Sequence, residues 1–461
     1  MATSRNSTEV TVIGAGLAGT LMSLLLAQRG HRVRLYERLP DMRREAIPAG
    51  RSINLALAAR GIAALERAGI MPQVLPLLIP MRGRLLHTAD DALTFAPYGQ
   101  REHEVIHSVS RPGLNRLLLD AAQEAGVDIH FRHAIVDADL TRHQLLIRDE
   151  SAGKLLELPL HHVIAADGAG SVLRRALAAQ PGVICSEDLL EHSYKELALP
   201  ADSGGAHRLH KNALHIWPRG GFMLIALPNL DGSFTMTLFL PKEGPESFAS
   251  LLNASDVESF FARYFPDVAT LVPQLANEFF SHPTGVMGTV RCSRWALEDR
   301  LLLIGDAAHA ITPFHGQGMN CAFEDCHELD ALLQTDTDWV DAFAKFESTR
   351  RSNTDAIARM ALENYEEMRD TVRHPKFQLQ KTLSLELERR FPDRFVPRYS
   401  MVMFHDEIPY SIAYARGSIQ AQILDELTHD ATTLDDVDYR RAAELIEQRL
   451  EPIGSIGRRT D

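Results

Sequence analysis

The sequence predicts a mixed α/β fold, with a Rossmann-like domain at its start, an inserted antiparallel sheet and a helical C-terminal region from about Leu333. Two stretches carry most of that prediction. Residues 9–38, EVTVIGAGLAGTLMSLLLAQRGHRVRLYER, alternate β-branched residues, turn through glycines, become apolar at helical spacing and return to a strand, which is the grammar of a β-α-β unit. Residues 212–241 hold NALHIW, FMLIALP and FTMTLFLP separated by short turns, an alternation suited to a half-buried antiparallel sheet. A chain of 461 residues can bury a large core and has room for two or three domains.

Composition narrows the function classes. Hydrophobic residues make up 45% of the chain and charged residues 24%, as in an ordinary soluble globular protein. A formal net charge of -13 opposes general binding to nucleic acid, so an anionic ligand would need a local cationic pocket. The four cysteines, Cys185, Cys292, Cys321 and Cys326, show no paired short spacings, so neither a disulfide framework nor a zinc site is expected and a reducing cytoplasm is the simplest setting. The polar opening MATSRNSTEV and the charged, amphipathic end suggest neither a signal peptide nor a membrane anchor.

Within the first β-α-β unit, Gly14, Gly16 and Gly19 have the dinucleotide-binding spacing: a tight turn, a close backbone approach to pyrophosphate, and close packing of helix on strand. Glu37 ends the second strand at the offset expected of a carboxylate that takes ribose hydroxyls. A second strand, turn and basic helix follow in LHHVIAADGAGSVLRRAL, with Asp167 and Gly168 at the turn. The third instance is LLLIGDAAHAITPFHGQGMNCAFEDC, where Asp306 ends a strand, a glycine-containing loop follows, and a helix begins near Met319. A carboxylate at the end of a parallel strand points into the crevice where such sheets bind ligands, and the free amides at the start of the next helix favour negative charge.

These three motifs, in this order, resemble the single-component flavoprotein aromatic hydroxylases of the para-hydroxybenzoate hydroxylase type over roughly residues 9–330. One departure is visible: Ala165 and Ala166 precede Asp167, where members often have a glycine first. The resemblance implies FAD as cofactor, NADPH and O2 as co-substrates, and a cofactor set of Gly14, Gly16, Leu17, Ala18, Gly19, Glu37, Arg38, Arg111, Asp167, Gly168, Gly305, Asp306, Gly318, Met319 and Asn320. The strings GRSINLALAARG, MRGRLLH, YKEL, PFHGQGMNCAFED, ALENYEEM and PRYSMV narrow it to the kynurenine-hydroxylating branch and extend it to about residue 415. The activity implied is hydroxylation of L-kynurenine to 3-hydroxykynurenine, with dioxygen activated at C4a of the flavin.

For that substrate, Arg84 is the natural carboxylate clamp, because a guanidinium offers a planar two-pronged donor. The resemblance adds Tyr98, Tyr399 and Asn364 as polar contacts, Ile225, Leu227, Phe239 and Met368 around the ring, and Phe314 and His315 near the flavin. No dedicated acid or base is implied, since the substrate's own amine activates its ring. No Ser-His-Asp order or metal-ligand cluster stands out, and the other histidines are scattered and expected to be mostly exposed. Two alternatives stay open: a flavin oxidoreductase or hydroxylase for another aromatic compound, and a non-catalytic FAD-binding protein.

The domain division that follows is 1–75, 105–180 and 285–332 for FAD, 76–104 and 181–284 for substrate, and 333–461 as a helical region. The stretch from about 416 offers no usable motif, and the sequence carries no signal for an oligomeric state.

Overall fold

Short apolar strands and one almost wholly buried helix set the geometry of the first part of the chain. The strand Glu9–Ile13 is buried from Val10 to Ile13, and the helix Leu17–Gln28 is apolar nearly all round, with Leu17 and Gly19 to Leu26 inside. A helix of that kind can only be stable within a core. Backbone contacts divide the chain into two units, Met1–Leu78, Val109–Leu190 and Met287–Asp355 in one, and Ile79–Ser108, Glu191–Val286 and Ala356–Asp461 in the other. The computed structural model describes residues 7–45, 54–88, 93–335, 338–369 and 374–455, so Gly50 to Ile53 of the string GRSINLALAARG lie outside the described residues.

The first unit is built on a six-stranded sheet in the order Ala296–Leu297, Leu301–Leu303, Val163–Ala165, Glu9–Ile13, Arg32–Glu37 and Asp128–Phe131. All neighbours are parallel except the first pair. Register places Ile13 beside both Tyr36 and Ala165, and Ala165 beside Leu303. The segments that follow these residues therefore emerge side by side at one carboxyl edge of the sheet. These segments are the glycine turn, the Asp167 turn and Gly305–Asp306. A separate antiparallel sheet of His133–Asp139, Gln144–Asp149 and Lys154–Pro159 also lies within this unit.

In the second unit the three stretches of residues 212–241 form antiparallel strands, Leu214–Pro218, Met223–Pro228 and Phe234–Pro241. They lie in a seven-stranded sheet, with Gly83–His87 parallel to Leu214–Pro218 and Leu93–Pro97 at the edge. One face packs Trp217, Leu224, Ala226, Met236 and Leu238 against Val257, Phe260 and Phe261 of the helix Ala254–Tyr264. The helices Pro375–Arg390, Tyr410–Leu427 and Tyr439–Arg449 share a separate core of Leu383, Leu387, Ile423, Leu445 and Ile446. Residues beyond 416 thus complete a helical core. No helix among the described residues is long and apolar enough to cross a membrane.

Two expectations are corrected. Cys185 and Cys292 are bridged as a disulfide, although no cysteine spacing suggests one; the partners are 107 residues apart and meet because their strands are neighbours. The histidines are not mostly exposed: only His103, His161, His210, His374 and His429 are, and His87, His162, His215, His309 and His315 are buried. Pairing explains how: His87 and His215 hydrogen-bond each other at 2.8 Å, His215 reaches the His210 carbonyl at 2.9 Å, and His309 meets Asp325 at 2.6 Å. A buried imidazole with partners avoids most of the desolvation cost.

Candidate active site

At the carboxyl edge of the first unit, Gly14 turns with φ +98°, and a Cβ there would lie 2.5 Å from the Ala166 carbonyl oxygen. A Cβ on Gly19 would overlap the Gly14 carbonyl oxygen, so the helix rests on the turn only because that residue is glycine. Gly16 differs. Among the described residues nothing lies within 4 Å of its Cβ position, and none caps the first amides of the helix it precedes with a side chain. Open space over uncovered N–H groups at a helix start is what an anionic diphosphate requires. Glu37 braces this turn, its carboxylate accepting from the Ala15 amide at 2.8 Å and the Leu39 amide at 2.9 Å. Leu17 is buried, Ala18 half-buried and Arg38 exposed, while Arg111 opens the helix Arg111–Glu124 behind its Ser110 cap.

Asp167 sits beside this turn. One carboxylate oxygen accepts from the Val172 amide at 2.8 Å, and the other is buried with no partner among the described residues. Burial raises its carboxyl above the ordinary range. Gly168 follows with φ +80°. Asp306 is exposed at the start of the short helix Asp306–His309, just past Gly305 with φ +56°. Beyond it, Phe314 and His315 are buried in a single turn, Gly316 has φ +67°, and the helix Gly318–Thr335 begins with Met319 and Asn320 inside. The Asn320 amide donates to the Ala56 and Gly316 carbonyls and accepts from the Ala58 amide, tying the loop to the start of the helix Ala59–Arg67.

Beneath this edge lies a buried charge network that sequence spacing did not reveal. Asp325 accepts from the Gly305 amide at 2.8 Å, from His309 at 2.6 Å and from Arg350 at 2.8 Å. Arg350 also reaches Glu324 at 2.6 Å, and Glu324 accepts from Arg60 at 3.0 Å. Burial opposes charge on His309, but the facing carboxylate of Asp325 outweighs it and lifts its pKa to about 10. Gly305 is thereby fixed from behind while Asp306 remains open in front. His309, Cys321 and Asp325 also approach one another as metal ligands would, yet the described ion pairs already occupy the carboxylate.

Polar and apolar candidates gather separately in the second unit. Arg84 pairs in register with Leu214, two residues before Ile216, and Ile216 lies opposite Ile225. Because strand residues alternate faces, Arg84, Ile225 and Leu227 share one sheet face. Phe239 joins them opposite Met223. Between them Thr237, opposite Ile225, has a buried hydroxyl with no partner among the described residues. The Arg84 guanidinium lies 4.8 Å from the Tyr399 ring centre and 5.8 Å from that of Tyr98, and the two rings stack at 5.8 Å. Asn364 and Met368, four residues apart on the helix Trp339–Arg369, are buried in contact at 3.2 Å.

Arg84 is only 7% exposed, and its Nε has no hydrogen-bond partner among the described residues. Its nearest carboxylate, Glu367, is at 3.9 Å. Burial works against the charge, but Tyr399, Tyr98 and Glu367 outweigh it and the guanidinium stays protonated. Burial raises Tyr98 and Tyr399, with Arg84 only partly countering, so both remain neutral hydrogen-bonding phenols. Glu367, Thr237 and Lys381 are residues of this neighbourhood that sequence reasoning missed; Glu367 lay within the string ALENYEEM but carried no signal of its own.

Known proteins similar to this chain define its family. Residues 7–336 match the family model described as FAD binding domain. The fold is similar to that of 2-methyl-3-hydroxypyridine-5-carboxylic acid oxygenase, with a TM-score of 0.66 at 20% identity, covering 80% of this chain and 95% of the other. It is also similar to PqsL of P. aeruginosa in complex with 2-aminobenzoylacetate, with a TM-score of 0.61 at 21% identity, covering 84% and 98%. The matched residues make this a chain with an FAD binding domain, and its relatives of higher identity are FAD-dependent monooxygenases. Kynurenine 3-monooxygenase of Myxococcus xanthus strain DK1622 is 48% identical over 453 residues, 98% of this chain and 97% of that protein. The one of Xanthomonas campestris pv. campestris strain 8004 is 45% identical over 453 residues, covering 98% and 99%. The chain belongs to the kynurenine 3-monooxygenase family.

Proposed function

We propose that this enzyme hydroxylates L-kynurenine at C3, consuming NADPH and O2, and that the residues named above divide the work. The observation that carries the reading is the buried Arg84, flanked by two phenol rings, whose Nε has no hydrogen-bond partner among the described residues. A buried cation without a matched anion is costly, and a substrate carboxylate would supply that anion. Tyr98 and Tyr399 offer neutral O–H donors to the same carboxylate, and Asn364 a further amide contact. Ile225, Leu227, Phe239 and Met368 provide an apolar surface for the aromatic ring.

FAD, when bound, supplies the oxygen chemistry, and the protein supplies position and electrostatics. Among the described residues, the open space over Gly16, the amides of the helix start without a side-chain cap and the Asp167 oxygen without a partner fit that cofactor. In this reading Gly14, Gly16, Leu17, Ala18, Gly19, Glu37, Arg38 and Arg111 take its adenosine and diphosphate part. Asp306 takes the ribityl hydroxyls, and Gly318, Met319 and Asn320 present the helix start to its pyrimidine ring, with Phe314 and His315 alongside. The corresponding domain division is 1–75, 105–180 and 285–332 for cofactor, 76–104 and 181–284 for substrate, and 333–461 for the helical region. A reductant such as NADPH belongs with a cytoplasmic setting. No side chain is needed as a general base, because the substrate's amine already makes the ring carbon ortho to it electron-rich.

Incubation of purified enzyme with FAD, NADPH, O2 and L-kynurenine should yield 3-hydroxykynurenine by mass spectrometry, while para-hydroxybenzoate in its place should yield no hydroxylated product. Hydroxylation of other aromatic acids but not of kynurenine would replace this reading by that of a hydroxylase for another compound.

A further inference from the structure

The carboxylate neighbourhood holds a second cation. Lys381 lies on the helix Pro375–Arg390, and residues 381, 385 and 388 fall on one face of it, spaced four and three apart. That face meets the segment just after Tyr98: Gln100 donates to the Leu385 carbonyl at 2.9 Å and to Glu388 at 2.8 Å, and Arg101 pairs with Glu388 at 3.0 Å. Farther along the face, Arg101, Glu104 and Glu388 satisfy one another. Lys381 has no such partner. It makes no hydrogen bond or salt bridge among the described residues, and the charges it senses are Arg84 on its strand and Glu367 on the helix Trp339–Arg369.

We propose that Lys381 is a specificity-determining residue of this site, making it selective for an α-amino acid headgroup, with the carboxylate held between Arg84 and Lys381 and the ammonium directed to Glu367. The individual charges fit this arrangement. Arg84 and Lys381 bring two positive charges and Glu367 one negative, while Tyr98 and Tyr399 are neutral. A zwitterionic headgroup leaves the net charge unchanged, so the gain lies in placement: its carboxylate meets the two cations and its ammonium faces Glu367. Burial first, and then Arg84, lower the Lys381 ammonium to about 8, against the smaller opposing effect of Glu367. An arriving carboxylate reverses that balance by favouring the charged amine. Binding just above pH 8 should therefore take up protons. This inference rests on the amino acid substrate reading above.

The test compares wild type, Lys381→Met and Lys381→Arg, each with its FAD content verified. Titration calorimetry with L-kynurenine at pH 8.5, in buffers of different ionisation enthalpy, counts protons taken up. Wild type should take up a fraction of a proton that Lys381→Met does not. The methionine variant should raise KM by roughly 10- to 100-fold, the range for loss of one charged contact, with a smaller fall in kcat. Arginine should restore most of the affinity without the proton uptake. The decarboxylated analogue of kynurenine, which keeps only the ammonium of the headgroup, should lose no affinity on Lys381→Met. Wild-type hydroxylation of kynurenine together with unchanged binding or unchanged proton uptake in Lys381→Met would overturn the role of Lys381 alone. A wild type that neither binds nor hydroxylates kynurenine would overturn the substrate reading, and this role with it.

Discussion

Replacing Arg84 by alanine separates substrate recognition from cofactor binding. Arg84 belongs to the second unit, whereas Gly14, Glu37, Asp167 and Asp306 belong to the first, so the variant should keep its full complement of FAD. Its guanidinium is buried, pairs with no carboxylate closer than 3.9 Å and lies over two aromatic rings. Within the free protein its removal forfeits cation–π contacts of about 0.5–2 kcal/mol each, while relieving the cost of holding an incompletely paired charge. Stability should therefore change little. Substrate binding should not be spared, because a desolvated carboxylate would lose its fixed two-pronged partner. Loss of one partner of such a pair costs about 2–5 kcal/mol, or roughly 30-fold to several thousand-fold in affinity. Lysine should rescue only partly, since a point charge cannot reproduce the fork. Kynurenine titrations followed by flavin fluorescence, repeated with the decarboxylated analogue, measure this. If Arg84→Ala binds kynurenine as wild type does, or if its loss extends equally to the decarboxylated analogue, the carboxylate is not held there.

Three further outcomes follow from the first unit. Asp306→Ala should weaken FAD binding by about 1.5–3 kcal/mol, the worth of a charged acceptor, and stoichiometric flavin after prolonged dialysis would contradict its placement on the ribityl chain. Gly16→Ala should leave the melting temperature of the flavin-free protein unchanged, because its Cβ meets open space, yet lower FAD affinity; Gly19→Ala should lower both, because its Cβ overlaps the Gly14 carbonyl. His309 gains its proton affinity from folding, with a folded pKa of about 10, so its stabilisation is complete below about pH 6.5 and is lost as pH rises through 10. Between those values it should make unfolding free energy fall by up to about 1.4 kcal/mol per pH unit, and His309→Gln should flatten that slope in denaturant titrations across the range.

What could be read from the sequence was local. The glycine turn, Asp167 and Asp306 each declare themselves by a strand that ends in a special residue and a helix that follows, and parallel register then sets the three side by side. Alternation in residues 212–241 likewise fixes which of Ile225, Leu227 and Phe239 share a face. Charge pairing was not legible. Asp325 lies inside an ordinary helical pattern, and its partners come from two other segments, Gly305 and His309 from the segment of the short helix Asp306–His309 and Arg350 from the helix Trp339–Arg369. The Cys185–Cys292 bridge and the histidine pair of His87 and His215 depend in the same way on which strands become neighbours. Lys381 had no motif at all; only the face its helix presents to the segment after Tyr98 brings it toward Arg84.

The central claim is that substrate held at Arg84 and FAD held at the edge of the first unit carry out one coupled hydroxylation. Single-turnover and steady-state reactions under 18O2, with NADPH and L-kynurenine, measure this directly. The account predicts 3-hydroxykynurenine carrying one 18O atom, one NADPH consumed per product, and flavin reduction accelerated when kynurenine is present. NADPH oxidation that yields hydrogen peroxide alone, or product whose new oxygen comes from water, would contradict it.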